Sequence, residues 1–285
     1  MGKEMEFYRE NGYILVKDNV RHELLDEMKQ RFIEICNGAE DNVTVVTKDP
    51  SLKNKGLEGE YLVNRIQDFT NDDCLWKYAS YPAVVDIVER IIGPKITVIN
   101  SMLINKPPNS RKEISLHPLH QDLHYFPIRP ADKIVASWTA MERVDQRNGC
   151  LYVIPGSHSR QILYEHKYPQ GIRNNFYHGV QGLDHVPKTY LEMDKGDTVF
   201  FHPLLLHGSG PNITKGFRKA ISCHYASSDC HFIDVRGTTQ NDLVAEFEHM
   251  IRMTGGDMRY EEFIKLKSRI VRGEPGRLQA LTCAL

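Results

Sequence analysis

Ile96-Thr97-Val98-Ile99-Asn100-Ser101-Met102-Leu103-Ile104, closed off by Pro107-Pro108, is a run of β-branched and aliphatic residues that ends in a turn. It reads as a strand. Ile134–Met141, Cys150–Ile154, Thr198–Phe201 and Ala220–Ala226 are runs of the same kind further along the chain. Asn148-Gly149, Pro155-Gly156, Lys195-Gly196-Asp197 and Gly208–Pro211 punctuate them as turns. Short strands broken by Gly and Pro predict a mainly β core of the sandwich or jelly-roll type rather than a parallel α/β sheet.

Outward from this core the period changes. Residues 1–95 read mainly as helix. Val20–Ile35 carries Leu24, Leu25, Met28, Phe32 and Ile35 on one face, and Ala83–Ile92 repeats the pattern before Gly93-Pro94 stops it. Beyond residue 235 helical spacing returns at Asn241–Met253 and Tyr260–Val271. The expectation is one domain, a β core over 96–235 flanked by helical parts at 1–95 and 236–285. Ala39–Glu60 and Ser157–Lys188 read as long loops, lengths often used for lids and substrate walls.

Composition narrows the class. The 285 residues are 41% hydrophobic and 26% charged, enough for a sizeable core. A net charge of −1 and a pI near 6.9 argue against a nucleic-acid partner. No apolar run approaches the roughly 18 residues of a membrane helix. The six cysteines form no CxxC pair and read as free thiols. The start, acidic within six residues, shows no apolar signal core, and Cys283-Ala284-Leu285 lacks the basic residue of a peroxisomal tail.

The chemistry is carried by Leu119-His120-Gln121-Asp122-Leu123-His124. On a strand, His120 and Asp122 leave the same face and offer an imidazole and a carboxylate to one divalent metal. A second histidine completes a 2-His-1-carboxylate set, which leaves positions open for a bidentate 2-oxo acid and dioxygen. His202 and His207, in Phe201-His202-Pro203-Leu204-Leu205-Leu206-His207-Gly208-Ser209-Gly210, are both candidates, and His124 is a third that would make a closed, zinc-like site. Arg218 follows His207 by eleven residues at the start of a strand. A guanidinium there suits the far carboxylate of a 2-oxo diacid.

The blocks Met102–Pro108, His117–Pro127, Trp138–Glu142, Gly149–His158 and Lys195–His224 closely resemble the phytanoyl-CoA dioxygenase family of Fe(II)- and 2-oxoglutarate-dependent oxygenases. The similarity runs from Phe7-Tyr8-Arg9-Glu10-Asn11-Gly12 to about Gly273 and is densest from Met102 to Val235. The resemblance implies a double-stranded β-helix, with His120, Asp122 and His207 as iron ligands and Arg218 on the 2-oxoglutarate carboxylate. It also implies Met102, Gln121, Trp138, Arg65 and Ser209 as cosubstrate contacts; Arg65 stands where a family member has Lys. The implied reaction is hydroxylation at C-2 of a 3-methyl-branched acyl-CoA such as phytanoyl-CoA. It consumes dioxygen and 2-oxoglutarate, is supported by ascorbate, and belongs to peroxisomal fatty-acid α-oxidation. The chain begins about where a mature member of the family would.

Lys106, Arg111, Lys112, Arg129 and Lys133 are the basic residues around the HxD segment that could meet the CoA phosphates. Three other readings remain: a related oxygenase with another small substrate, a non-catalytic metal or ligand binder, and a hydrolase using His120, Asp122 and His124. Use of 2-oxoglutarate separates the oxygenases from the other two.

Overall fold

A computed structural model describes residues 2–39, 45–48, 56–108, 115–168, 178–183 and 185–280. Helix α1 (Gly2–Asn11) leads through strand β1 (Tyr13–Val16) to α2 (His22–Cys36). Strands β2 (Val45–Lys48) and β3 (Val63–Gln67) precede helices α3 (Asp73–Ala79) and α4 (Pro82–Ile92). The β region holds β4 (Ile96–Lys106), β5 (His117–His120), β6 (Ile128–Arg129), β7 (Ile134–Ala140), β8 (Leu151–Val153), β9 (Thr189–Leu191), β10 (Thr198–Phe201), β11 (His207–Ser209), β12 (Arg218–Ser227) and β13 (His231–Phe232). Helices α5 (Asn241–Met253) and α6 (Tyr260–Lys267) and strand β14 (Arg269–Arg272) close the chain.

The larger sheet runs β1-β10-β7-β12-β4-β3-β2, with β14 also on β4; the smaller runs β5-β11-β8-β9; β13 pairs with β6. Every one of these pairings is antiparallel. Alternation divides the larger sheet into two faces. Leu103, Val135, Ile221, Cys223 and Tyr225 pack against Leu25, Met28, Phe32, Val84, Val88 and Ile92 of the helices. Ala136, Trp138, Ala140 and Ala220 face Leu151, Val153 and Leu191 of the smaller sheet. This is the jelly-roll arrangement, with helices on its outer face.

Each helix forms for local reasons and stays for tertiary ones. Pro82 opens α4 with its φ already helical, and Gly93 ends it at φ 99°, a conformation that favours glycine. Val84, Val85, Val88 and Ile92 are buried against the sheet, each contributing about 1.5–3 kcal/mol relative to exposure. Asp72 caps α3 by accepting from the amides of Cys74 and Leu75, and its other oxygen pairs with Arg31 of α2 at 2.8 Å.

The structure departs from the sequence expectation at both flanks. Residues 1–95 supply three strands, β1 to β3, besides their helices. Four- and five-residue segments such as Tyr13–Val16 and Val63–Gln67 are too short for periodicity to declare, and their pairing partners lie far away in sequence. The last predicted helix stops at Lys267, because Arg269–Arg272 pairs with the start of β4 instead. β2 falls within the segment read as the Ala39–Glu60 loop. Much of the rest of that segment, and 169–177 and 184 of the second loop, lie outside the described residues.

Candidate metal centre and active-site pocket

β5 and β11 set His120 directly opposite His207, so the two rings leave the same face, with centroids 4.2 Å apart. The Nδ1 of His120 meets the Pro118 carbonyl at 2.8 Å and that of His207 the Leu205 carbonyl at 3.0 Å. With Nδ1–H donating to a carbonyl, each Nε2 presents a lone pair. The strand ends at His120, earlier than the HxD spacing predicts. Gln121 nonetheless keeps extended dihedrals, so Asp122, the first residue of a 3-10 turn, still falls on the side of His120. Asp122 Oδ1 lies 3.3 Å from His120 Nε2 and 3.6 Å from His207 Nε2. All three side chains are buried, and their donor atoms lie within 4.8 Å of one another. Phe201 packs on the His207 ring at 4.6 Å.

The protonation states suit a cation. Burial, then His120 beside it, brings the His207 pKa down to about 4, so the ring is neutral at pH 7. Burial alone would raise the Asp122 pKa, but the neighbouring His207 and His224 rings, with the hydrogen bond that His224 donates, hold it well below the usual carboxylate range. Two imidazoles and a carboxylate gathered on one side of a point are the donor set that suits iron(II) with open positions.

The other candidate histidines lie elsewhere. His202 Nε2 meets Asp132 at 2.9 Å, and its Nδ1 accepts from the Leu204 amide. The His124 ring stacks on His166 at 4.2 Å, with an interplanar angle of 9°. Neither belongs to the cluster of donors.

A pocket of ≈ 670 Å³, its open mouth included, connects this cluster with Met102, Trp138, Ser209 and Arg218. These side chains meet because β4, β12 and β7 are adjacent: Ser222 is opposite both Met102 and Trp138, and Arg218 lies four residues along the same face of β12. Arg218 is 1% exposed, donates to the Gly149 carbonyl at 2.8 Å and holds its guanidinium 5.5 Å from the centre of the Trp138 ring. Gly208 leaves no room for a side chain between His207 and Ser209, since a Cβ would stand 2.4 Å from the Tyr152 hydroxyl.

Two predicted contacts stand apart from the pocket lining. Gln121 sits between two candidate ligands, so alternation turns its side chain away. Its Nε2 donates to the Ile162 and Leu204 carbonyls, and its Oε1 accepts from the Tyr164 amide. Arg65 pairs with Ile104 on the pocket's face of the larger sheet, and its charge helps keep the buried His117 ring neutral, after burial itself and His120 and His207.

The basic residues proposed for the CoA phosphates lie in different settings. Arg111 and Lys112 lie outside the described residues. Arg129 is engaged with Gln240 and the Ile128 carbonyl, and Lys133 is exposed. Lys106 is inside, 4% exposed and lining the pocket.

Sequence reading passed over His117, Ser222 and His224, all of which line the pocket. The signal for the last two was strand alternation from Arg218. His224 Nε2 donates to Asp122 Oδ2 at 2.8 Å, Asn100 Nδ2 donates to His224 Nδ1 at 3.2 Å, and Lys267 Nζ donates to Asn100 Oδ1 at 2.9 Å. This chain fixes the tautomer of His224 and leaves Oδ1 for a metal. His224→Leu is therefore expected to weaken metal binding about 10- to 100-fold, the usual effect of removing a partner behind a ligand. Calorimetric titration with Mn(II) checks it, and unchanged affinity would mean that Asp122 is held without His224.

The sequence profile of the family described as Phytanoyl-CoA dioxygenase (PhyH) matches residues 8–220. The peroxisomal phytanoyl-CoA dioxygenase of Rattus norvegicus is 45% identical over 280 residues, 95% of this chain and 82% of its own. A probable phytanoyl-CoA dioxygenase of Caenorhabditis elegans is 48% identical over 254 residues, 86% of this chain and 81% of its own. Among solved structures, the epimerase SnoN in complex with Fe3+, alpha ketoglutarate and nogalamycin RO aligns with a TM-score of 0.61 at 17% identity, covering 82% of this chain and 86% of its own. EctD from S. alaskensis aligns with a TM-score of 0.63 at 15% identity, covering 82% and 79%. At such identities these two structures establish the shared fold.

Proposed function

The chain belongs to the phytanoyl-CoA dioxygenase family, and from that premise we propose that it hydroxylates C-2 of phytanoyl-CoA or a related 3-methyl-branched acyl-CoA. One dioxygen and one 2-oxoglutarate are consumed for each 2-hydroxyacyl-CoA, with succinate and carbon dioxide as coproducts. The observation that carries this reading is the convergence of His120, Asp122 and His207 in one buried pocket with Arg218.

His120, Asp122 and His207 would hold iron(II), which when bound supplies the oxidising power for an unactivated C–H bond. The protein's part is placement. The Pro118 and Leu205 carbonyls aim the two imidazoles, and His224 draws one carboxylate oxygen of Asp122 aside. Arg218 would take the distal carboxylate of 2-oxoglutarate through parallel N–H donors, with Trp138, Met102 and Ser209 as walls. Water is kept from the reacting centre by the buried lining. Ascorbate would support turnover by keeping the iron reduced. The relatives named peroxisomal make that compartment the proposed location, tested by imaging the tagged full-length protein.

The deciding assay measures succinate from 2-oxoglutarate with Fe(II) and ascorbate, with and without phytanoyl-CoA. Succinate that rises with the acyl-CoA and equals the 2-hydroxyphytanoyl-CoA formed is the expected result. Succinate indifferent to the acyl-CoA would reassign the substrate, and its complete absence from the iron-loaded protein would sink the oxygenase reading.

A further inference from the structure

We propose that Lys106 is a second cosubstrate-binding cation, acting beside Arg218 to make the pocket select a 2-oxo acid with a distal carboxylate. The inference rests on the 2-oxoglutarate reading of the pocket and adds a residue to it.

Lys106 ends β4 and Arg218 begins β12, and the register sets them directly opposite each other. Side chains at paired positions leave the same face close together, where like charges repel. Both are buried, 4% and 1% exposed, so water does little to screen them. The Lys106 ammonium donates to the Ser209 hydroxyl at 2.8 Å and to the Gly210 carbonyl, both neutral acceptors. Among the described residues Lys106 forms no ion pair, and its partners are those two oxygens. Burial, then Arg218, pushes its pKa well below the ordinary lysine value. Two buried basic side chains on one wall of a pocket suit an anion, whose charge would favour the protonated form of the Lys106 amine. The same pocket carries His120, Asp122 and His207, so an anion near Lys106 and Arg218 belongs to a molecule that also reaches the metal donors. A 2-oxo diacid has that form. Gly149, at φ 86°, helps keep the space, since a Cβ there would approach the Lys106 ammonium to 3.1 Å and the Gly210 carbonyl oxygen to 2.4 Å.

The test compares two ligands on the Mn(II)-loaded full chain by calorimetry: 2-oxoglutarate, and 2-oxopentanoate, which has the same carbon chain without the distal carboxylate. Lys106→Met is expected to weaken 2-oxoglutarate at least about tenfold, as for a lost buried charge partner, while 2-oxopentanoate keeps its affinity. Equal loss for both ligands, or an unchanged 2-oxoglutarate affinity with a lowered melting temperature, would make Lys106 a strut between β4 and residues 209–210 and overturn the proposal. If Lys106→Met fails to fold, the same comparison on Lys106→Gln decides, with the same expected and overturning results. Failure of the unaltered protein to bind 2-oxoglutarate would instead overturn the functional reading itself.

Discussion

Asp122→Ala should abolish metal binding and turnover together while leaving the fold standing. The carboxylate is the anionic member of the donor set, and its Oδ1 is the atom on which both Nε2 atoms converge. Two neutral imidazoles alone give a divalent cation no charge compensation in a buried site. The loss also leaves the buried His224 Nε2–H without its acceptor, so the metal-free variant should melt below the metal-free unaltered protein. Thermal melting separates the two effects. Added Mn(II) should raise the melting temperature of the unaltered protein by mass action and leave that of Asp122→Ala unmoved, each compared with its own metal-free form. A metal-dependent shift that survives in the variant would move the centre away from His120, Asp122 and His207.

Arg218→Met should spare the metal and lose the cosubstrate. Truncating one partner of a buried charge pair costs about 2–5 kcal/mol, so the dissociation constant for 2-oxoglutarate should rise from roughly 30-fold to beyond 1,000-fold. The Mn(II) affinity should stay within about twofold, because Arg218 belongs to the opposite sheet from His120 and His207. Arg218→Lys keeps the charge and loses the paired donors, so it should fall between the two. Equal loss of metal and 2-oxoglutarate in Arg218→Met would show that the division of labour between the sheets is wrong.

How much of this was legible before folding depended on whether the signal was local. The five strand runs and the Lys195-Gly196-Asp197 turn declare themselves through β-branched residues and glycines, and Thr198–Phe201 is recovered to the residue. β14 does not, because Arg269-Ile270-Val271-Arg272 continues a helical spacing until its pairing with β4 overrides it. The same limit governed the site. His120, Asp122, His207 and Arg218 could be named from motif order and family likeness, and alternation between Arg218 and His224 was available to anyone who followed the strand.

The sequence by itself determined the mainly β core, the helices packed on it and the residue types that suit an oxidative metal centre, because periodicity and motif spacing are properties of neighbours along the chain. Only the tertiary structure showed what occupies His202 and His124 away from Asp122, and that Gln121 turns away to hold the Ile162–Tyr164 loop. It alone showed that Lys106, read as a loop charge, lies buried opposite Arg218. Those outcomes follow from register between strands far apart in sequence, and register is set by which faces the two sheets bury together.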